Sequence, residues 1–233
     1  MKALIESVLR FSYKNKLTHI ASALSMLGYV HELFSKKLVV PYRDKIILGK
    51  PFGAQAYTLV WNELGYIDNV DQYGICVRHN EIPFIDFSEY TMGNSLGIAA
   101  GMAIACPTQL VWINISDAAL QMGNTLEAIQ FIGHNKIKNV MLTVDYNNAQ
   151  VTGRPADILA VEPVIKLFQE YGWGVYDTDL TEFGITDRPK VFIMRTKKGQ
   201  GVPAMEKDIK KWHYRKIETY EELQSLVAEL QAT

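Results

Sequence analysis

An acidic and an amide side chain each stand just after a short apolar run near the middle of the sequence. Asp117 follows residues 111–115, and Asn147 follows residues 139–146. Both runs are rich in β-branched and aromatic residues and too short for buried helices, so they predict strands covered on both faces. A helix-length segment separates them, which predicts a crossover between parallel strands. Because ligands collect outside the carboxyl ends of such strands, we expect both side chains at a ligand-binding edge.

Oxygen ligands at this edge would suit a divalent cation that holds a diphosphate. Mg²⁺ prefers oxygen donors and keeps part of its coordination for phosphates. Asp117, Asn147 and the backbone carbonyl of Ala149 would supply three such donors. Simpler interpretations exist, because an Asp after a strand is often a turn former or helix N-cap, and Asn-Asn is a common turn signal. The spacing alone leaves a metal site and an ordinary turn both open.

The remaining pattern alternates helices with apolar strands. Helices are predicted near residues 3–13, 19–36, 53–64, 95–105, 121–134, 163–171 and 219–230. Strands are predicted at 45–48, 110–115, 140–145, 174–176 and 190–195. This alternation indicates an α/β fold with a doubly wound, mostly parallel sheet and helices on both faces.

Composition narrows the class of protein. The formal net charge of −1 provides no basic field for nucleic acid. No apolar run approaches the roughly 18 residues of a membrane span, and residues 1–16 lack a signal-peptide pattern. Cys76 and Cys106 have no metal-ligand spacing, which predicts structural thiols in a reducing compartment. We therefore expect a cytoplasmic globular protein, with one domain over residues 1–233.

Five blocks, in order, resemble the diphosphate-binding part of transketolases. Residues 111–150 are similar to the family's thiamine diphosphate motif. That motif begins Gly-Asp-Gly, continues close to L-Q-E-G and E-A, and ends in an Asn-bearing turn. In this chain the central part of the motif reads LQMG and EA. The other blocks read LTHIASALSMLGYVHELF, DKIILGKPFGAQAYTLVWNELGY, GNSLGIAAGMAIA and KKGQGVPAMEKDIKKWH. The resemblance implies the thiamine diphosphate-binding fold.

The chain length suggests a split assembly. A complete transketolase carries further domains of similar size, so the chain resembles the N-terminal subunit of a split transketolase. The resemblance implies a separate C-terminal partner with the pyrimidine-binding domain, an α2β2 heterotetramer, and a C-terminal extension at residues 197–233 packing on the domain.

The resemblance also assigns the cofactor residues. Mg²⁺, or Ca²⁺ or Mn²⁺ in its place, would be held by the three oxygen donors already named. Residues that would contact thiamine diphosphate are Tyr90, Thr91, Met92, Asp117, Ala118, Asn147 and His213.

Two histidines match catalytic positions of the family. His19 and His213 correspond to residues that contact substrate hydroxyls or the carbonyl oxygen. An imidazole can donate a hydrogen bond to a developing alkoxide or move a proton near neutral pH. His31 and His134 are expected to be packed or solvated, and His79 is ambiguous.

Departures from the family pattern cluster on the substrate side. Ser116 and Ala118 replace the glycines of Gly-Asp-Gly, Phe52 stands at the K-G-H histidine, and Met122 stands at a glutamate that links the halves of the assembly. The first hypothesis is a transketolase-like enzyme that moves a two-carbon ketol unit with a specialised, non-sugar-phosphate substrate. The alternative is a catalytically silent partner or scaffold subunit. A nicotinamide-dependent enzyme is disfavoured, because no G-x-G-x-x-G follows the first strand.

Overall fold

A computed structural model describes residues 1–232 and divides the chain into two compact units. Unit 1 comprises Met1–Ser35, Phe52–Val77 and the chain from Thr196 onward. Unit 2 comprises Lys36–Pro51 and Arg78–Arg195. The expectation of one domain with an extension packing at 197–233 stays a prediction.

Helices and strands alternate in the middle of the chain, and helices begin and end the described residues. The helices are α1 (Lys2–Lys14), α2 (Ile20–Ser35), α3 (Gln55–Glu63), α4 (Ser95–Ala105), α5 (Gly123–His134), α6 (Pro155–Ile158), α7 (Glu162–Glu170), α8 (Pro203–Lys207), α9 (Lys211–Tyr214) and α10 (Tyr220–Ala232). The strands are β1 (Lys45–Leu48), β2 (Phe87–Ser88), β3 (Val111–Ser116), β4 (Val140–Tyr146), β5 (Gly174–Asp177) and β6 (Lys190–Arg195). A 3₁₀ turn (Asp117–Gln121) follows β3.

Unit 2 is built on a six-stranded sheet in which every neighbouring pair is parallel, in the order β2-β1-β3-β4-β6-β5. The first five residues of β3 and the first six of β4 are buried, which explains their unbroken apolar sequences. Helix α4 packs on β1, β3 and β4, while α5 packs on α4 and α7. This architecture confirms the predicted doubly wound α/β class.

Unit 1 is helical. Helix α1 packs against α2, α3 and α10, and α2 packs against α3 and α9. Aromatic rings fill its core: Trp61 stacks on Tyr57 and meets the edge of Phe34. None of the described helices is long and apolar enough to cross a membrane.

Candidate functional site

The sheet of unit 2 has a switch point between β1 and β3. The next strand along the chain, β2, pairs with β1 on one side, and β3 pairs with β1 on the opposite side. Crevices at such reversals are the usual ligand sites of open α/β sheets. Three polar residues stand at the carboxyl ends nearby: Lys50 after β1, Asp117 after β3 and Asn147 after β4.

Asp117 is buried at this edge, with 1 % of its surface exposed. Its Oδ1 accepts a hydrogen bond from the Ala118 backbone N–H at 2.8 Å, and its Oδ2 accepts one from the Asn148 N–H at 2.7 Å. Asn148 has φ 54°, a left-handed conformation that asparagine tolerates better than most residues. The turns after β3 and β4 therefore meet, as their spacing predicted.

The electrostatics of Asp117 suit a cation. Burial, followed by the charge of Asp145, raises the pKa of Asp117 to about 6, against the opposing effects of the Lys50 charge and the hydrogen bonds from Asn148 and Ala118. A buried carboxylate whose ionised form is disfavoured gains most from a nearby positive ion. The carboxylate of Asp117 and the amide oxygen of Asn147, on the two turns that meet here, are of the kind that a hard divalent cation prefers.

A polar chain that sequence reasoning missed lies beside Asp117. Lys50 forms an ion pair with Asp145, and both side chains are largely buried, at 10 % and 0 % exposure. Asp145 Oδ2 also accepts a hydrogen bond from Asn147 Nδ2 at 2.8 Å. The Ala149 backbone N–H donates to Asn147 Oδ1 at 3.0 Å. The strand-end rule that located Asp117 applies equally to Lys50, which stands two residues after β1.

The two residues that stand in place of the family's glycines cause no backbone strain. Ser116 is extended, with φ −88° and ψ 161°. Ala118 belongs to the 3₁₀ turn and is not among the described non-glycine residues with positive φ. Since neither residue has the left-handed backbone that favours glycine, the methyl group of Ala118 fits the turn.

The loop predicted to line the cofactor is exposed and adjoins this edge. Tyr90 and Met92 are 53 % and 48 % exposed, and Thr91 between them is also exposed. Met92 Sδ lies 3.7 Å from the hydroxyl of Ser116, the residue before Asp117. At the loop's base, the Glu89 carboxylate accepts a hydrogen bond from the Asn94 N–H at 2.5 Å.

The two predicted catalytic histidines form an aromatic cluster in unit 1. The rings of His19 and His213 have centroids 5.2 Å apart and an interplanar angle of 70°. Phe52 and Tyr214 each lie 5.2 Å from the His19 ring. The Thr18 hydroxyl lies 2.8 Å from His19 Nδ1. Three distant parts of the chain, near residues 19, 52 and 213, therefore build one cluster.

A buried lysine determines which ring nitrogen of His213 can donate a hydrogen bond. Lys198, 2 % exposed, has its Nζ 2.6 Å from His213 Nδ1. An ammonium group can only donate, so Nδ1 accepts and the neutral ring carries its proton on Nε2. His213 is therefore arranged to donate a hydrogen bond through Nε2. Lys198 was missed in the sequence, although it belongs to the K-G-x-G block.

The other histidines lie apart from this cluster. His31 is part-exposed, 3.9 Å from the Glu63 carboxylate, and His134 is exposed in the last turn of α5. His79 is exposed, with its ring 6.3 Å from that of Phe87.

One protein family matches this chain. Its description is "Transketolase, thiamine diphosphate binding domain", and the match covers residues 99–214. That range contains both strand-end turns and His213, whereas His19 and Lys50 lie before it.

Several curated proteins are similar along most of the chain. One subunit of the apulose-4-phosphate transketolase of Phocaeicola vulgatus is 25 % identical, over 98 % of this chain and 90 % of its own length. The 6-deoxy-6-sulfo-D-fructose transketolase subunit SqwG of a Clostridium species is 24 % identical, over 80 % of this chain and 74 % of its own length.

Solved transketolases share the fold. The enzyme from Campylobacter jejuni superposes with a TM-score of 0.75 at 17 % identity, over 99 % of this chain and 41 % of its own. The enzyme from Leishmania mexicana gives 0.74 at 15 % identity, over 99 % and 44 %. The chain thus spans less than half the length of these solved transketolase chains.

Proposed function

We propose that this chain, which belongs to the transketolase family as a divergent member, is the thiamine diphosphate-binding subunit of a split transketolase. The enzyme would move a two-carbon ketol unit from a ketose-type donor to an aldehyde-type acceptor. The observation that carries the proposal is the contact between the Asp117 turn and the Asn147 turn within the family's domain. The aligned relatives of similar length are transketolase subunits, which disfavours the silent-scaffold alternative.

The unit 2 edge would hold the cofactor through Mg²⁺, for which Ca²⁺ or Mn²⁺ could substitute. Asp117 would supply a carboxylate oxygen, Asn147 its amide oxygen and Ala149 its backbone carbonyl. The raised pKa of Asp117, caused mainly by burial, supports a cation there. When bound, thiamine diphosphate supplies the carbanion chemistry of ketol transfer. This chain's contribution is to bind it, orient it and shield its charge, with Tyr90, Thr91, Met92 and Ala118 as neighbouring contacts.

The unit 1 cluster would act on the substrate. His213 would donate a hydrogen bond from Nε2 to a carbonyl or hydroxyl oxygen, because Lys198 occupies its Nδ1. His19 would serve the same kind of oxygen or move its proton. Such groups contribute on the order of 100-fold or more to rates of proton transfer.

A specialised substrate is the second part of the proposal. The ring centroid of Phe52 lies 5.2 Å from that of His19. Phe52 stands where the resemblance places the K-G-H histidine, so an apolar ring replaces a ring that can form hydrogen bonds. By their names, two relatives act on apulose-4-phosphate and on 6-deoxy-6-sulfo-D-fructose, which supports an unusual ketose donor for this chain. Ordinary transketolase rates with xylulose 5-phosphate and ribose 5-phosphate would contradict this part.

A separate C-terminal transketolase-like subunit is the proposed partner. The names of the similar apulose-4-phosphate and sulfofructose transketolase chains describe each of them as one subunit of its enzyme, and the present chain spans less than half of the solved transketolases. Small residues on α4 support close packing, since a Cβ added at Gly97 or Gly101 meets nothing within 4 Å in the described chain. Ile104 and Phe131, 57 % and 48 % exposed, border them. We propose an α2β2 heterotetramer in the cytoplasm.

Calorimetry of the reconstituted pair tests the cofactor site. Thiamine diphosphate should bind saturably and only with Mg²⁺, and Asp117→Ala should weaken binding by more than about 100-fold. Asp187→Ala is the matched control, because Asp187 is an exposed carboxylate, at 73 %, paired with Arg188. Failure of the unmutated pair to bind would instead favour the silent-scaffold alternative.

A further inference from the structure

A buried ion pair crosses the carboxyl end of β3. Lys50 follows β1 and Asp145 belongs to β4, while the sheet order places β3 between these strands. Asp117 comes directly after β3, so the pair spans the edge where that carboxylate lies. Burying two more charges is costly unless they are well hydrogen-bonded, and such pairs are weak stabilisers on their own. The arrangement therefore calls for a role other than holding the sheet together.

The ion pair is linked to one candidate metal ligand. An asparagine amide has an oxygen end and a nitrogen end of almost equal size, and its partners decide which end faces which way. Asp145 Oδ2 accepts from Asn147 Nδ2, and the Ala149 N–H donates to Asn147 Oδ1. Both contacts favour the same orientation, with the amide nitrogen toward Asp145 and the oxygen on the opposite side. Lys50 contacts the same Asp145 oxygen that receives the amide.

We infer that Lys50 and Asp145 are positioning residues that orient the Asn147 amide so that its oxygen faces the cation. The inference rests on the proposed function, because it assumes the Mg²⁺ and diphosphate site at this edge. On this inference Asp145 contacts neither the substrate nor the cofactor, and it affects the cation only by orienting the Asn147 amide. Lys50 fixes Asp145 and offsets the second negative charge beside Asp117.

Calorimetry of the two reconstituted subunits measures the Mg²⁺ concentration at which thiamine diphosphate binding is half-saturated. Asp145→Asn and Lys50→Met should each raise it by about 10- to 100-fold, the usual cost of losing a partner behind a metal ligand. The matched controls Lys45→Met and Asp86→Asn break the ion pair at the opposite end of β1, where the Nζ to Oδ1 distance is 2.8 Å. They should leave the Mg²⁺ requirement unchanged.

An exchange of the two side chains separates positioning from simple stabilisation. In the double variant Asp145→Asn with Asn147→Asp, the hydrogen bond is kept with its direction reversed: the amide N–H at 145 donates to the carboxylate at 147, which still offers an oxygen. We expect most of the Mg²⁺ affinity lost in Asp145→Asn to return. The gain must exceed that of Asn147→Asp alone, because a carboxylate at 147 raises Mg²⁺ affinity by its own charge. A merely structural ion pair would give no such excess, because the carboxylate beside Lys50 is still absent from position 145. If Lys50→Met does not fold, Lys50→Arg keeps the positive charge at position 50. The two subunits reconstituted with this variant should bind Mg²⁺ nearly as the unmutated subunits do.

The outcomes distinguish the two proposals. If the unmutated pair shows no Mg²⁺-dependent binding, the proposed function is wrong. If it binds normally and Asp145→Asn behaves like Asp86→Asn, the proposed function stands and the positioning role is wrong. Absence of rescue in the exchanged variant would also overturn the positioning role.

Discussion

The two units carry their candidate chemistry in different ways. In unit 2, charged and amide side chains lie at strand ends, and hydrogen bonds of 2.7 to 3.0 Å fix them. In unit 1, the polar rings of His19 and His213 pack with Phe52 and Tyr214 at centroid distances near 5 Å. The first arrangement suits an invariable ligand that must be held, and the second suits a ligand whose shape and polarity differ between enzymes. In unit 2, Asp117 and Asn147 match the residues that the resemblance assigns to a metal, whereas in unit 1 Phe52 stands where the resemblance places a histidine.

The largest expected effect separates turnover from cofactor binding. His19→Asn should lower kcat of the reconstituted enzyme by on the order of 100-fold or more, because an acid–base or hydrogen-bonding group is lost. Asparagine tolerates the positive φ of 59° at this position, so the fold should survive. Cofactor affinity, measured calorimetrically, should stay unchanged. His31→Asn, at a part-exposed histidine, is the control, and equal losses in kcat and cofactor affinity would break the division between the units.

The second effect is a pH dependence confined to unit 2. Burial raises the pKa of Asp117 to about 6 from an ordinary 3.8, so the folded state disfavours its ionised form. The metal-free chain should therefore lose about 3 kcal/mol of unfolding free energy from this group as pH rises from about 4 to about 6. Asp117→Asn should lack that loss, because an amide does not titrate in this range. Denaturant unfolding in chelator across this range measures the difference, and parallel curves for the two proteins would contradict it.

A third, smaller effect concerns the apolar edge of unit 1. Phe52→His returns an imidazole beside His19 and should raise kcat/KM for ordinary sugar phosphates by about tenfold, the value of one hydrogen bond to substrate. Steady-state kinetics with xylulose 5-phosphate measures it. Phe52→Leu, which keeps the edge apolar, should give no gain, and a gain in both variants would point to ring size instead.

The smallest effect concerns the lost glycines of unit 2. Ala118 lies in a 3₁₀ turn without positive φ, so Ala118→Gly should cost about 0.5–1 kcal/mol of stability through added backbone freedom. Cofactor affinity should not improve. Thermal unfolding and calorimetry test both points, and tighter binding in the glycine variant would mean that the methyl group obstructs the diphosphate.

The sequence predicted the strand-end chemistry well where it depends on neighbours along the chain. Asp117 and Asn147 follow consecutive strands, so a general rule brought their turns together, and β1 and α4 have their predicted bounds. The strand-end rule also applies to Lys50, but its contact with Asp145 requires the strand order β1-β3-β4, which local patterns do not give.

Unit 1 was less accessible to the same reasoning. No spacing rule brings His19 to His213, and only the resemblance to transketolases suggested that both serve one site. In both units the shortest elements were missed as well, namely β2 and α6 in unit 2 and α8 and α9 in unit 1. Elements of two to five residues are too short to display a hydrophobic period.

The segmented make-up of the units has a consequence for how the chain folds during synthesis. All of unit 2 precedes Thr196, so its sheet and its Asp117 edge can form before the last helices leave the ribosome. Unit 1 needs both ends, because α1 packs on α10 and the His19 ring meets His213. The face of α1 that packs on α10 must therefore stay uncovered until α10 has been made. Premature termination or slow synthesis after residue 195 should expose this face of α1 to aggregation while the Asp117 edge is already formed.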